Sequence, residues 1–264
     1  MNRSALLRGS RSDIPAGVYM FVSVPPSRRV SSDPLEILWH YSIGYMPDFI
    51  DGKSGPVGWV RWPHRGVQML EKFKIPRKQK SHVLSPQFEL KINTSFEEVV
   101  RACADVNRHV MKDGVGETWI TAELIEGLIE LHRMGHAHSY EAWMEGQLVG
   151  GTFGIQLGGL VTMISLFHRV SNASKAAAGR AMMALRERGF TLIDIGMVPQ
   201  HQVDFGSEWL PRWKYEAMLP KLIGQKISIG DEHPVRPVPM AIRWGMPCVR
   251  AYRGMRRRLG GEQP

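Results

Sequence analysis

The sequence predicts an α+β fold whose sheet is mixed and mainly antiparallel. Three features lead to that class. Two capped segments of helical period occupy 94–109 and 120–135. Three apolar or alternating segments joined by glycine-bearing turns follow at 136–167. A further helix at 171–190 then leads into a strand at 191–198. Hydrophobic strands set between helices in this order fit a sheet whose end opens on a binding cleft.

The elements follow in chain order. The first 95 residues are rich in Pro, Gly and Trp. Within them, DPLEILWHYSIGY reads as a helix opened by Asp33 at the N-cap and Pro34 at the first helical position. VGWVRW, GVQML and FELKI, separated by Pro and Gly, read as short strands. TSFEEVVRACADVNRH carries Phe96, Val99, Val100 and Ala104 on one helical face, with Thr94 or Ser95 as cap. ITAELIEGLIELHRMG starts at Thr121 and stops at Gly135. HAHSYEAWMEGQLVGGTFGIQLGGLVTMISLF divides into three short strands at the turns EGQ and LGG. SNASKAAAGRAMMALRERGF is a helix closed by Gly189, and TLIDIGMV is a last strand.

A hydrophobic content of 43% with 22% charge is that of a soluble globular chain, and 264 residues suffice for one large domain or two modest ones. No run of 18 apolar residues is present, so no transmembrane helix is expected, and MNRSALLRGSRSD lacks the apolar stretch of a signal peptide. Cys103 and Cys248 lie far apart, with no CxxC pair. This predicts reduced thiols, a cytoplasmic location and no structural zinc. Nothing suggests a coiled coil or a repeated apolar face, so a monomer is expected.

The formal charge is +9, and its placement matters more than its size. From Arg236 onward seven arginines face one acid, Glu262. KFKIPRKQK at 72–80 holds five cations and no acid. Clustered cations suit a polyanion such as RNA, because phosphate contacts release counterions; a solvated surface is the alternative.

In a strand, His136, His138 and Tyr140 point to one face, and Ala137, Ser139 and Glu141 to the other. Two imidazoles at i and i+2 can share a metal, but a third ligand would have to arrive from elsewhere, and no HExxH motif is present. Hydrogen-bonded sheet residues are therefore expected, with no metal; Glu141 is read as the partner of a neighbouring cation.

ETWIT (117–121), LHRMGHAHSYEAW (131–143), LVGG (148–151), FHRVSNASK (167–175) and LID (192–194) together resemble the bacterial leucyl/phenylalanyl-tRNA–protein transferases. YSIGYMP at 41–47 is similar to that family's helix ending in a Gly–Ile–Phe–Pro turn, and Pro211–Arg212 to its closing Pro–Arg. The resemblance covers about residues 33–225 in the same order. It implies a small N-terminal domain and an acetyltransferase-like (GNAT) core. It also implies transfer of an aminoacyl group from tRNA to the N-terminal amine of an acceptor protein or peptide. No cofactor or metal is implied, because the aminoacyl ester is already activated. The chain would then divide into 1–93 with a tRNA patch, a catalytic 94–230 and a basic extension 231–264. Arg65, Arg77, Lys78 and Lys80 are the expected tRNA-binding cations.

In the same comparison Asp194 matches a carboxylate that would orient or deprotonate the attacking amine, with a strand-end turn cap as the alternative. Where the family carries a glutamine two positions on, this chain has Gly196. Its Gly–Glu–Ser–Met–Phe–Ser becomes Met163, Ile164, Ser165, Leu166, Phe167 and His168, and its Ser–Leu–Gly becomes Asp204, Phe205 and Gly206. Ser165 and His168 are new candidate acid–base partners. The pocket differs at Thr152, Val161 and Met163, while Trp119, Phe153 and Phe167 remain as apolar walls. Redistributed volume of this kind implies altered aminoacyl specificity. Asn172, Ser174 and Lys175 are expected to shape the site at a helix N-terminus able to receive an anion, or to cap that helix only. His201 is expected to contact the tRNA end or the acceptor.

Two other readings stay open. One is a binding homologue that has lost its chemistry; the other is an acyltransferase using a different donor, although the pyrophosphate loop of thioester users is absent. The tail mixes Trp244 and Tyr252 with arginines behind a Pro-rich linker, which suits RNA or an anionic membrane surface, or a solubilising tail.

Overall fold

The computed structural model describes residues 29–50, 55–106, 109–110, 116–230, 237–239 and 242. Helix α1 (Pro34–Ser42) begins as expected, with Asp33 Oδ1 accepting from the amides of Leu35 at 2.9 Å and Glu36 at 3.4 Å. Strands β1 (Met46–Phe49) and β2 (Val57–Val60) form a separate two-stranded sheet, and Arg29 adds an isolated bridge at Gly58. After β3 (His64–Met69), a 3-10 turn at Arg77–Gln79 and the single-turn helix α2 (Lys80–Val83) carry the chain to β4 (Glu89–Ile92). Then come α3 (Phe96–Val106), a small pair β5 (His109–Val110) and β6 (Gly116–Glu117), and α4 (Ala122–Arg133). The last is capped by Thr121 Oγ1, which accepts from the Leu124 amide at 3.3 Å.

Three strands form a meander, β7 (Ala137–Met144), β8 (Gln147–Leu157) and β9 (Leu160–His168). They are longer than expected, at 8, 11 and 9 residues. The β7–β8 turn is Glu145–Gly146, both at positive φ (52° and 75°), which matches the twist of a two-residue hairpin. Then follow α5 (Ala173–Glu187), β10 (Leu192–Gly196), α6 (Gln200–Val203), β11 (Ser207–Pro211) and α7 (Arg212–Ile223).

One seven-stranded sheet runs in the order β11-β3-β10-β9-β8-β7-β4. Only β9–β10 is parallel. The expected class, α+β with a mixed and mainly antiparallel sheet, is therefore found. The expected division at residue 93 does not divide the sheet. β3 lies between β10 and β11, and β4 pairs with β7, so two of the four described strands before residue 93 are part of the later sheet. Of the segment 231–264, Val238 and Ile242 are buried in the main core. Apart from Pro237 and Pro239, the rest of that segment lies outside the described residues, as does Cys248. Among the described residues no helix is long and apolar enough to cross a membrane.

Both faces of the sheet are covered. Leu38 and Tyr41 of α1, Val99 of α3, Leu128 of α4 and Tyr215 of α7 pack with Phe153, Ile155 and Phe167. On the other face Val83 of α2 and Met182 and Leu185 of α5 pack with Tyr140, Val161 and Met163. In that second cluster the Tyr140 hydroxyl is buried with no hydrogen-bond partner among the described residues. A hydroxyl left in this state costs about 1–3 kcal/mol. Tyr140→Phe is accordingly expected to stabilise the chain by about 1 kcal/mol, raising Tm by ~2–4 °C for a domain of this size. Thermal unfolding followed by circular dichroism checks this.

Candidate active site

The parallel pairing of β9 and β10 runs only from Leu160↔Leu192 to Thr162↔Asp194. Immediately beyond it both strands bulge. The β9 register slips at Ile164, which has no partner between Phe153↔Ser165 and Gly154↔Met163, and the β10 register slips at Ile195. A bulge bends its strand and increases the local twist, so two bulges at the same level separate the strands. β9 continues to His168 while β10 ends at Gly196.

Beyond this divergence, on the face covered by α5, lies a cavity of about 420 Å³. Its apolar part is made by Leu166, Ala178, Gly179, Met182 and Phe205. Its polar part comes from His168 on β9, Ser171, Asn172, Ser174 and Lys175 at the start of α5, Gln202 of α6, and Gln79 ahead of α2. The 15-residue helix α5 therefore points its free amide groups and the positive end of its dipole at the cavity. Asn172 takes the N-cap position in the left-handed conformation (φ 68°) and makes no side-chain capping bond. Ser174 Oγ lies 3.5 Å from His168 Nδ1.

The second group of expected residues is on the opposite face. Asp194 is fully buried beneath α7. Its Oδ1 accepts from Arg65 Nε at 2.8 Å and the Gly196 amide at 2.9 Å. Its Oδ2 accepts from Arg65 Nη2 at 2.7 Å, Tyr215 Oη at 2.7 Å and Thr162 Oγ1 at 3.3 Å. A carboxylate offers about four lone-pair sites, and five donors fill them. The carboxylate expected to orient or deprotonate the amine therefore has its lone pairs engaged inside the protein. Burial alone would lower the pKa of the Arg65 guanidinium, yet Asp194 beside it holds it above the ordinary arginine value. Burial, followed by the Asp194 charge, pushes the Tyr215 phenol well above its usual range.

Arg65 requires a correction. It was expected among the tRNA-binding cations, but it is 3% exposed and bound to Asp194, so no phosphate can reach it. Arg77, Lys78 and Lys80 are exposed, beside the wall of the cavity that Gln79 lines.

Ser165 also faces away from the cavity. It shares a hydrogen bond with the buried Cys103 thiol of α3, and its carbonyl accepts from Thr152 Oγ1 at 2.8 Å. The structure therefore separates Ser165 from His168, its expected acid–base partner. Phe153 and Phe167 belong to the core under α3 and α4, where Trp119 and Ile164 are half-buried. Val161 and Met163 lie on the α5 side. His201 is in α6.

The histidines of the meander are sheet residues. His136 Nδ1 lies 3.3 Å from the Gln156 carbonyl and His138 Nδ1 3.1 Å from Asn93 Nδ2. Glu141 departs from its expected cation partner. It accepts instead from the Ser95 amide at the start of α3 (2.8 Å), Ser139 Oγ (2.7 Å) and Trp143 Nε1 (2.8 Å).

Sequence reasoning missed Thr162, Tyr215, Gln79 and Gln202. A signal for the buried pair was present at Asp194, which sits in the otherwise apolar strand LIDIG, where a charge requires a partner.

The profile of the family described as leucyl/phenylalanyl-tRNA protein transferase matches residues 67–220. Three proteins named leucyl/phenylalanyl-tRNA–protein transferase illustrate the similarity. The one from Chlorobaculum parvum is 37% identical over 192 residues, covering 73% of this chain and 96% of its own. That of Rhizorhabdus wittichii is 36% identical over 198 residues, 75% of this chain and 78% of its own. That of Nitrobacter winogradskyi is 34% identical over 208 residues, 79% of this chain and 90% of its own. Among solved structures, the crystal structure of FemX aligns with a TM-score of 0.41 at 10% identity, covering 68% of this chain and 69% of that one. With the profile spanning more than half of the sequence and relatives matched over most of their length, the chain belongs to the leucyl/phenylalanyl-tRNA protein transferase family.

Proposed function

We propose that this chain transfers an aminoacyl group from a charged tRNA to the N-terminal amine of a protein or peptide. The observation that carries this reading is the match to transferases of that name over up to 96% of their length. The site adds a chemical rationale. The amine nitrogen attacks the ester carbonyl, a C–N bond forms, the C–O bond to the terminal ribose breaks, and the amine proton ends on the ribose oxygen. The ester supplies the driving force, so the protein's task is to position the donor, move a proton and stabilise the oxyanion.

The cavity beyond the β9–β10 divergence supports placing the aminoacyl end there, with its side chain against Leu166, Ala178, Met182 and Phe205. His168 is the imidazole within reach of the amine. Lys175 and the free amides of α5 are the groups that would receive developing negative charge. Asp194 serves this site from behind, by fixing the β10 bulge through the Gly196 amide. Arg77, Lys78 and Lys80 would meet the tRNA backbone. A parallel strand pair that diverges within an otherwise antiparallel sheet, with a helix following the first strand, supports an acetyltransferase-like (GNAT) core.

The test is transfer from a panel of individually charged, radiolabelled aminoacyl-tRNAs to peptides with varied N-terminal residues. Label entering peptide from one or a few donors is the expected result. An apolar side chain on those donors would fit the floor of the cavity. Absence of label with every donor would remove the activity from this chain.

A further inference from the structure

The cation-bearing segment is too short to hold its own position. The turn Arg77–Gln79 and helix α2 together span seven residues, and neither has a side-chain cap. Isolated helical pieces of this length are unstable in water. Their placement therefore depends on what they are packed against, which is α5.

Two neighbouring residues of α5 make that junction. Gly179 gives room: a Cβ there would lie 2.6 Å from Val83 Cγ1, so only glycine lets α2 approach this closely. Arg180 supplies the bonds. Its Nε donates to the Val83 carbonyl at 2.7 Å, its Nη1 to the Phe88 carbonyl at 3.1 Å, and its Nη2 to the Ser85 carbonyl. These carbonyls belong to the end of α2 and the loop into β4, groups that a helix terminus leaves without internal partners. Three acceptors on one chain segment match the fixed fork of a guanidinium, which an ammonium cannot reproduce. Burial lowers the Arg180 pKa, so the cation is partly removed from water for these contacts.

The junction joins two parts of the proposed reaction. On the α2 side Arg77, Lys78 and Lys80 are exposed, while Gln79 lines the cavity; on the α5 side the helix that carries Arg180 lines the same cavity with Ser174, Lys175 and Ala178. We propose that Arg180 is a positioning residue that sets the register between the tRNA-contacting cations at 77–80 and the cavity that takes the aminoacyl end. The proposal rests on the transferase reading above. A register error matters because a misplacement of about 1 Å can cost a factor of ~100 in rate.

The experiment compares two donors in wild type, Arg180→Ala and Arg180→Lys: the aminoacyl-tRNA that the panel finds most active, which spans both the cations and the cavity, and adenosine bearing the same aminoacyl group on its 3′ oxygen, which reaches the cavity alone. With Arg180→Ala, kcat/KM for the tRNA donor is expected to fall ~10-fold or more, while that for the adenosine donor stays within ~2-fold. Arg180→Lys should fall between, since it keeps the charge and loses the fork. Hydrogen exchange of Arg180→Ala should quicken at amides 80–88 and stay unchanged in β8 and β9.

An equal fall with both donors overturns the proposal, because Arg180 would then support the cavity itself. No fall with either also overturns it. If Arg180→Ala does not fold, Arg180→Lys is judged by the same two ratios. A wild type inactive with every charged tRNA of the panel, seen before any variant is made, refutes the transferase reading and with it this proposal.

Discussion

Replacing Asp194 by alanine is expected to lower the unfolding free energy by about 3–5 kcal/mol, the loss that follows when one member of a buried ion pair is removed. The Arg65 guanidinium would stay charged, at 3% exposure, with Nη1 already lacking a partner among the described residues. The Tyr215 hydroxyl and the Gly196 amide would lose their acceptor as well. For a fold stabilised by about 5–15 kcal/mol this is a large share, and urea denaturation measures it. The paired variant Arg65→Met/Asp194→Leu removes both charges at once. Apolar replacement of a buried pair is often close to neutral, so most of the lost stability should return. Transfer activity is expected to recover only in part, because leucine gives the Gly196 amide no acceptor and leaves the β10 bulge less firmly held. A paired variant that is as stable as wild type yet inert would restore Asp194 to the chemistry.

What could be read from the sequence follows from the range of the interactions. Local signals were legible: Asp33–Pro34 and Thr121 start helices where expected, because a cap acts on amides two or three residues away. The meander was legible as strands and turns but not in its length. Glycines 150, 151 and 154 lie inside β8, where the Ala173 side chain and the backbones of Tyr140 and Thr162 come close. The insertion of β3 between β10 and β11 was not legible, since pairing over more than a hundred residues leaves no periodic trace. The cavity was hidden for a related reason. Its residues were named in part, at His168, Asn172, Ser174 and Lys175, but the opening itself comes from two bulges at one level of the sheet. Alternation along a strand does not show where a bulge will fall. The family comparison offered Ser165 and His168 together, but three positions apart on one strand they face opposite sides of the sheet, and Ser165 meets Cys103.

His168→Ala carries the largest expected effect on rate. The imidazole stands at the end of β9, half-buried, in a cavity whose other basic side chain is Lys175. Proton transfer by a positioned side chain contributes about 10²–10⁴-fold, so kcat should fall by that order while tRNA binding, proposed above for Arg77, Lys78 and Lys80, is unchanged. His168→Gln preserves shape and hydrogen bonding without the titratable nitrogen, and it should be as slow as the alanine variant if the imidazole moves the proton. Ser174→Ala is the complementary variant. Its hydroxyl lies 3.5 Å from Nδ1, too long for a strong bond, so its removal should cost no more than ~10-fold. Single-turnover transfer from saturating aminoacyl-tRNA measures the chemical step apart from binding. If His168→Gln keeps the wild-type rate in that assay, the proton must leave the amine by another route, through water or the donor's own ribose hydroxyl. The cavity would then act by position and charge alone.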